Sequence, residues 1–195
     1  MKKKSKKNLV IFASGAGSNA QKIIEHFKEN GKAEITLIVC SNPNAGVLKI
    51  AEKEKIPVLV IEKEEFRETG YLDEIKKADP NLIILAGFLW KIPEILIQAF
   101  PDKIINIHPA LLPAYGGKGM YGNAVHTAVV SNQEKESGIT IHFVDEKYDH
   151  GQIIFQEKCS LSENETPESL AQKIHQLEHQ FFPKTIEKLL EENVS

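Results

Sequence analysis

"NLVIFASGAGSNAQKIIEHFKEN", residues Asn8 to Asn30, decides the fold. Asn8–Ser14 is an apolar run of strand length. Asn19–Asn30 repeats its apolar residues at Ile23, Ile24 and Phe27, one stripe of a helix, and Gly31 stands where a helix-ending glycine belongs. Between them lies "SGAGSNA", Ser14 to Ala20. Strand, glycine loop, helix is the first unit of an alternating α/β pattern.

The alternation continues. "EITLIVC" (Glu34 to Cys40) reads as a strand, Gly46 to Lys55 as a helix, and "VLVI" (Val58 to Ile61) as a third strand. A helix from Glu64 to Ala78 leads to the strand "NLIILAG" (Asn81 to Gly87). A short helix after Pro93 precedes "KIINI" (Lys103 to Ile107). Near-continuous apolar strands are those of a parallel sheet covered on both faces by helices. The pattern then changes. "SGITIHFVD" (Ser137 to Asp145) and "QIIFQEKCS" (Gln152 to Ser160) read as an antiparallel hairpin joined by a short turn. Thr166 and Pro167 open a long final helix towards Leu190, as N-cap and first helical residue. The expected fold is therefore α/β: a Rossmann-like, mostly parallel sheet with helices on both faces and an antiparallel hairpin in the C-terminal part.

The chain has 195 residues, which suits one domain, 1–195, with residues 1–7 as a tail. A net charge of -3 argues against broad nucleic-acid binding, which needs a basic face. The run "KKKSKK" (Lys2 to Lys7) has no aromatic interleaved and reads as a solvated tail. No apolar run approaches the roughly 20 residues needed to span a bilayer. Cys40 and Cys159 lie far apart without a C-x-x-C pattern, as in reduced thiols of a cytoplasmic protein.

The glycine loop is the first functional signal. Glycines let backbone approach a ligand, and a helix N-terminus offers free N–H groups and partial positive charge, which together bind anions. Gly15, Gly17 and Ala20 also satisfy G-x-G-x-x-A, a permitted dinucleotide fingerprint. That fingerprint expects a carboxylate after the second strand. Here Cys40, Ser41 and Asn42 stand there instead, so the loop suits a phosphomonoester better than NAD. A nucleotide-binding oxidoreductase or sensor module remains the rival reading from another class.

The second signal is "KIINIHPALLPAYGG", Lys103 to Gly117. Asn106 and His108 are two apart on a strand, so they face one side, and Pro109 biases His108 towards extended backbone. His142 shares a strand face with Thr140, and "KYDHGQ" brings Asp149 next to His150 and Gly151. If Asn106, His108 and Asp149 converge, an amide and an imidazolium can stabilise an oxyanion while a carboxylate sets the ring's protonation or moves a proton. No G-x-S-x-G and no Cys beside a His is present, so the set fits direct transfer between two substrates. "HQLEH", His175 to His179, matches the H-x-x-E-H zinc pattern, but the chain ends soon after and the stretch reads as an amphipathic helix, with no metal expected. Phe88, Leu89 and Trp90 in "AGFLWKIP" either line a slot for a flat ligand or belong to the core.

Taken in order, "SGAGSN", "LAGFLWKIP", "NIHPALLPAYGG" and "HFVDEKYDHGQII" resemble the phosphoribosylglycinamide formyltransferase (GAR transformylase) family, from about Asn8 to Leu190. The resemblance implies the formyltransferase fold and a purine-biosynthesis enzyme. It would move a formyl group from 10-formyltetrahydrofolate to the amine of glycinamide ribonucleotide. By resemblance Asn106, His108 and Asp149 are the catalytic trio, supported by His142. Gly17, Ser18 and Asn19 hold the single phosphate, and Glu178 contacts the same substrate. Leu89, Trp90, Lys91 and Ile92, with Asn106 and the loop from Asp145 to Asp149, surround the folate, and Arg67 meets its glutamate tail. "GGKGMYGNAVHTAV" resembles the family's mobile loop and the helix after it. Trp90 departs from the smaller or basic residue of some members, and His150 is placed to alter the pKa of Asp149. Methionyl-tRNA formyltransferase and formyltetrahydrofolate hydrolase share the chemistry but usually carry an added domain that this sequence lacks. Small molecules are the only partners expected, with a monomer or weak homodimer in the cytoplasm.

Overall fold

Alternate residues of the first strand feed two different cores. In β1 (Lys7–Ala13), Leu9, Ile11 and Ala13 pack into one apolar cluster, and Val10 and Phe12 into another on the opposite face. That is the period of two of a strand buried on both sides. The computed structural model describes residues 6–68 and 70–192. The expected tail over 1–7 lies outside the described residues for 1–5, and Lys7 already belongs to β1.

The other strands are β2 (Ala33–Cys40), β3 (Val58–Val60), β4 (Leu82–Leu85), β5 (Ile104–His108), β6 (Glu136–Phe143) and β7 (Ile153–Ser160). They form one sheet in the order β3-β2-β1-β4-β5-β6-β7. The pairs from β3 through β5 are parallel, and β6 and β7 run antiparallel. The expected mostly parallel sheet with a C-terminal antiparallel pair is the observed one. Helices α1 (Ser18–Asn30), α2 (Val47–Glu54), α6 (Asn123–Ser131) and α7 (Pro167–Glu192) cover the face of Leu9. The shorter α3 (Lys63–Arg67), α4 (Leu72–Lys77) and α5 (Glu94–Ala99) cover the face of Phe12. Gly31 ends α1 in the left-handed conformation, and the Thr166 hydroxyl caps α7 by accepting the Ser169 N–H at 3.1 Å.

Two elements differ from the sequence reading. The single helix expected over Glu64–Ala78 is two helices, α3 and α4. The Gly70 N–H returns to the Glu65 carbonyl, and the Tyr71 hydroxyl accepts the Glu62 N–H and donates to Glu65, which together close a turn. Phe66 and Ile75 are buried on either side of that turn, so the apolar pattern runs through the break. The turn between β6 and β7 is a nine-residue loop, 144–152.

The sheet positions a site in a predictable place. The chain builds β1, β2 and β3 outward on one side, then crosses to place β4 on the other side of β1. At such a switch point the loops after two neighbouring strands diverge and leave a crevice beyond the strand ends. Among the described residues no helix is long and apolar enough to cross a membrane.

Candidate active site

A cleft of about 600 Å³ opens at that switch point, within the range of small-molecule sites. The loop after β1, the stretch after β4, the end of β5, the loop 144–152 and one face of α7 all contribute to its wall.

The glycine loop forms one end. Gly17 has φ +84°, and a Cβ there would sit 2.8 Å from that of Val47, so only glycine fits. The first intrahelical bond of α1 runs from Gln21 N–H to the Gly17 carbonyl, which leaves the N–H groups of Ser18 and Asn19 free at the cleft end. Glu178 of α7 is 6% exposed, and its Oε2 accepts from Asn19 Nδ2 at 2.9 Å and from His175 Nδ1 at 3.1 Å. The "HQLEH" segment thus ties α7 to the start of α1. Its two rings stack at 6.2 Å, and no cluster of three metal-ligating side chains occurs among the described residues.

At the other end Asn106, His108, His142 and Asp149 come together. Antiparallel pairing sets Asn106 opposite His142 and His108 opposite Thr140, so the polar faces of β5 and β6 coincide. His142 donates from Nδ1 to the Phe143 carbonyl at 2.8 Å, which leaves Nε2 to accept the Asn106 amide at 3.1 Å. The amide's second N–H remains for a ligand. His108 donates from Nε2 to the Tyr115 carbonyl at 2.8 Å. Its Nδ1 therefore turns to Asp149, with Oδ2 at 3.6 Å, longer than a hydrogen bond and an ion pair only when the ring is protonated. Asp149 Oδ1 lies 3.7 Å from His142 Nε2.

Each group is held by its surroundings. Asp149 has φ +54°, a left-handed conformation that turns its carboxylate inward, where Oδ2 accepts the Gly117 N–H at 2.9 Å. Burial raises its pKa, but His142, His108 and that N–H together hold it below the usual carboxylate value, so the group is ionised. Burial pushes His108 below the ordinary histidine value, against the pull of Asp149 and the Tyr115 carbonyl. Behind the site, the Thr140 hydroxyl donates to the Ala110 carbonyl at 2.7 Å and accepts the Leu112 N–H at 3.0 Å. Gln156 donates to Thr140 and to the Leu112 carbonyl. This buried network anchors the segment that carries Tyr115.

The residues expected around a folate divide. Leu89, Trp90, Lys91, Ile92, Asn106, Asp145 and Asp149 all line the cleft. Trp90 serves both alternatives, lining the cleft while its ring lies 6.1 Å from Phe66 and 6.0 Å from Phe88. Arg67 does not line it. Phe66 turns into the core against Phe12 and Phe88, so the next residue on α3 is carried round to solvent. His150 does not contact Asp149 either. Its ring bonds Asp145 at 3.1 Å, because the left-handed turn at Asp149 sends neighbouring side chains opposite ways. Sequence reasoning missed the Tyr115 carbonyl, the Gly117 N–H and His126 of α6, which lines the cleft and is buried. The Gly-Gly pair, and the resemblance of the stretch it opens to a mobile loop, were the signals near the first two.

The family model described as formyl transferase matches residues 7–186. The chain belongs to the formyl transferase family. The phosphoribosylglycinamide formyltransferase of Bacillus subtilis is 40% identical over 190 residues, covering 94% of this chain and 95% of its own length. The chloroplastic phosphoribosylglycinamide formyltransferase of Arabidopsis thaliana is 40% identical over 196 residues, covering 97% of this chain. The chain spans 67% of that plant relative and 62% of the one from Vigna unguiculata. The crystal structure of glycinamide ribonucleotide transformylase 1 from Geobacillus kaustophilus superposes with a TM-score of 0.86 at 35% identity, covering 95% of this chain and all of that one. The fold of this family member is thus the formyltransferase fold, and the protein is an enzyme.

Proposed function

We propose that the protein transfers a formyl group from 10-formyltetrahydrofolate to the amine of 5'-phosphoribosylglycinamide, a step of de novo purine biosynthesis. One observation carries the reading: a single cleft joins the glycine loop and helix N-terminus at Gly17–Asn19 to a converged Asn, His and Asp. The relatives' names point the same way.

In this reading the ribonucleotide's phosphate meets the free N–H groups at Ser18 and Asn19 beside Gly17, and Glu178 takes polar groups of the same substrate. The folate lies between Leu89–Ile92 and the loop carrying Asp145 and Asp149. The substrate amine attacks the formyl carbon, a C–N bond forms, and the carbonyl oxygen becomes an oxyanion. The free N–H of Asn106 donates to that oxygen. His108 rests neutral with Nδ1 open; the developing negative charge raises its proton affinity, so Nδ1 takes a proton from solvent, donates it as a hydrogen bond to the oxyanion, and releases it to solvent when the carbonyl re-forms. Asp149, kept ionised, takes the proton from the attacking amine and returns it to N10 of the folate as the C–N10 bond breaks. His142 holds the Asn106 amide in its donating orientation. No metal takes part. Cytoplasmic residence, a single domain over 1–195, a monomer or weak homodimer, and the absence of nucleic-acid and membrane partners belong to the same proposal.

The test is direct. Purified protein is mixed with 10-formyltetrahydrofolate and glycinamide ribonucleotide, and deformylated folate is followed with and without the amine. Amine-dependent turnover is expected. Deformylation that ignores the amine would make the protein a hydrolase instead.

A further inference from the structure

Two polar atoms on the cleft wall have no protein partner. Asn19 Oδ1 and His126 Nδ1 are both sealed from solvent, and neither meets a hydrogen bond. His126 is 4% exposed, buried on α6 against α7, and still lines the cleft with Glu178 and His175. Burial and the neighbouring His175 lower its pKa against the pull of Glu178, so the ring is neutral, with one donor and one acceptor nitrogen. An unpartnered buried acceptor is tolerated better than an unpartnered N–H. The proton therefore sits on Nε2, and that edge of the ring is what His126 offers to the cleft.

The surroundings select what can use it. A phosphate only accepts and would be repelled by the Glu178 carboxylate. A hydroxyl both donates and accepts. It can give its hydrogen to Glu178 and take one from His126 Nε2. We propose that His126 reads the ribose of the ribonucleotide substrate, donating Nε2–H to a sugar hydroxyl whose own hydrogen goes to Glu178. This rests on the proposed substrate and adds to it a residue that discriminates ribose from deoxyribose.

The KM for glycinamide ribonucleotide in His126→Leu is expected to rise about three- to tenfold, the worth of one neutral hydrogen bond. The kcat and the KM for 10-formyltetrahydrofolate should stay within twofold. His126→Gln, whose amide also donates near the Nε2 position, should recover most of the loss. Wild-type preference for the ribonucleotide over its 2'-deoxy and 3'-deoxy forms should shrink in His126→Leu for one of the two. Equal preferences in wild type and variant, or an equal rise in both KM values, would overturn the assignment. A measurement on the wild type covers a variant that fails to fold. Its His126 ring ¹⁵N signals should move on titration with ribose 5-phosphate, and a ring that stays still at saturation excludes the contact. That titration needs no turnover, so it separates failure of this inference from failure of the proposed reaction.

Discussion

At His108 two effects of opposite sign meet in one ring. Burial disfavours the cation and is the larger, while the carboxylate of Asp149 favours it from 3.6 Å. Removing that carboxylate leaves burial less opposed. In Asp149→Asn the His108 ring, followed by imidazole NMR, should therefore titrate lower than in the wild type, where it already lies below the ordinary histidine value of about 6.5. The same variant loses its proton carrier, so kcat should fall by about 10²- to 10⁴-fold, with folate affinity held within a few fold. A near-native kcat removes Asp149 from the proposed mechanism, and an upward move of the His108 titration contradicts the electrostatics. Part of this was legible in the sequence. Asn106 and His108 two apart on a strand must share a face. The tautomers were not, because they depend on the carbonyls of Tyr115 and Phe143, which any residue type would supply.

At the scale of elements, the loop 144–152 carries Asp149 to a ring that β5 supplies from elsewhere in the chain. Its return to β7 passes Gly151 close against the Phe143 backbone, where a Cβ would lie 1.9 Å from the carbonyl oxygen. No side-chain rotation relieves a clash with backbone. Gly151→Ala is expected to cost about 1–3 kcal/mol, lowering Tm by about 2–4 °C for each kcal/mol. It should also lower kcat, since Asp149 stands two residues away. Calorimetry and steady-state kinetics read both, and an unshifted Tm with native kcat would show that the loop adapts. The sequence located this loop through its Asp and Gly but took the connection for a short turn. Turn chemistry is local, whereas the loop's length answers to a partner on β5. The helix expected over Glu64–Ala78 failed for a related reason. Its apolar period persists through a turn closed by Tyr71 and Gly70, whose hydrogen bonds no periodicity reports.

For the whole molecule, topology was the most legible level, because strands buried on both faces write themselves as apolar runs and the glycine loop marks the switch point. What the sequence hid is how many imidazoles the fold withdraws from water, two of them on the cleft wall and His179 elsewhere on α7. His108, His126 and His179 all have pKa values lowered, chiefly by burial. A histidine of that kind is protonated first in the unfolded chain. Its contribution to stability is thus full above about pH 6.5 and declines as pH falls from there towards the folded value. His175 has the opposite sign, since Glu178 raises it, so its contribution is complete at low pH and lost as pH rises through the folded value. Its side chain is 56% exposed, and water screens that pair. Asp149, lowered, keeps its contribution down to about pH 4 and stays out of this window. The two buried rings and the half-buried His179 therefore outweigh the one exposed pair, and stability should fall on acidification from pH 8 to 5.5. Urea unfolding midpoints at constant ionic strength measure this. His126→Gln should flatten the decline, since it removes one of the three rings. A midpoint that holds steady or climbs towards pH 5.5 would mean that these rings accept protons in the folded state as readily as in the unfolded chain, and that the cleft is wetter than its geometry implies.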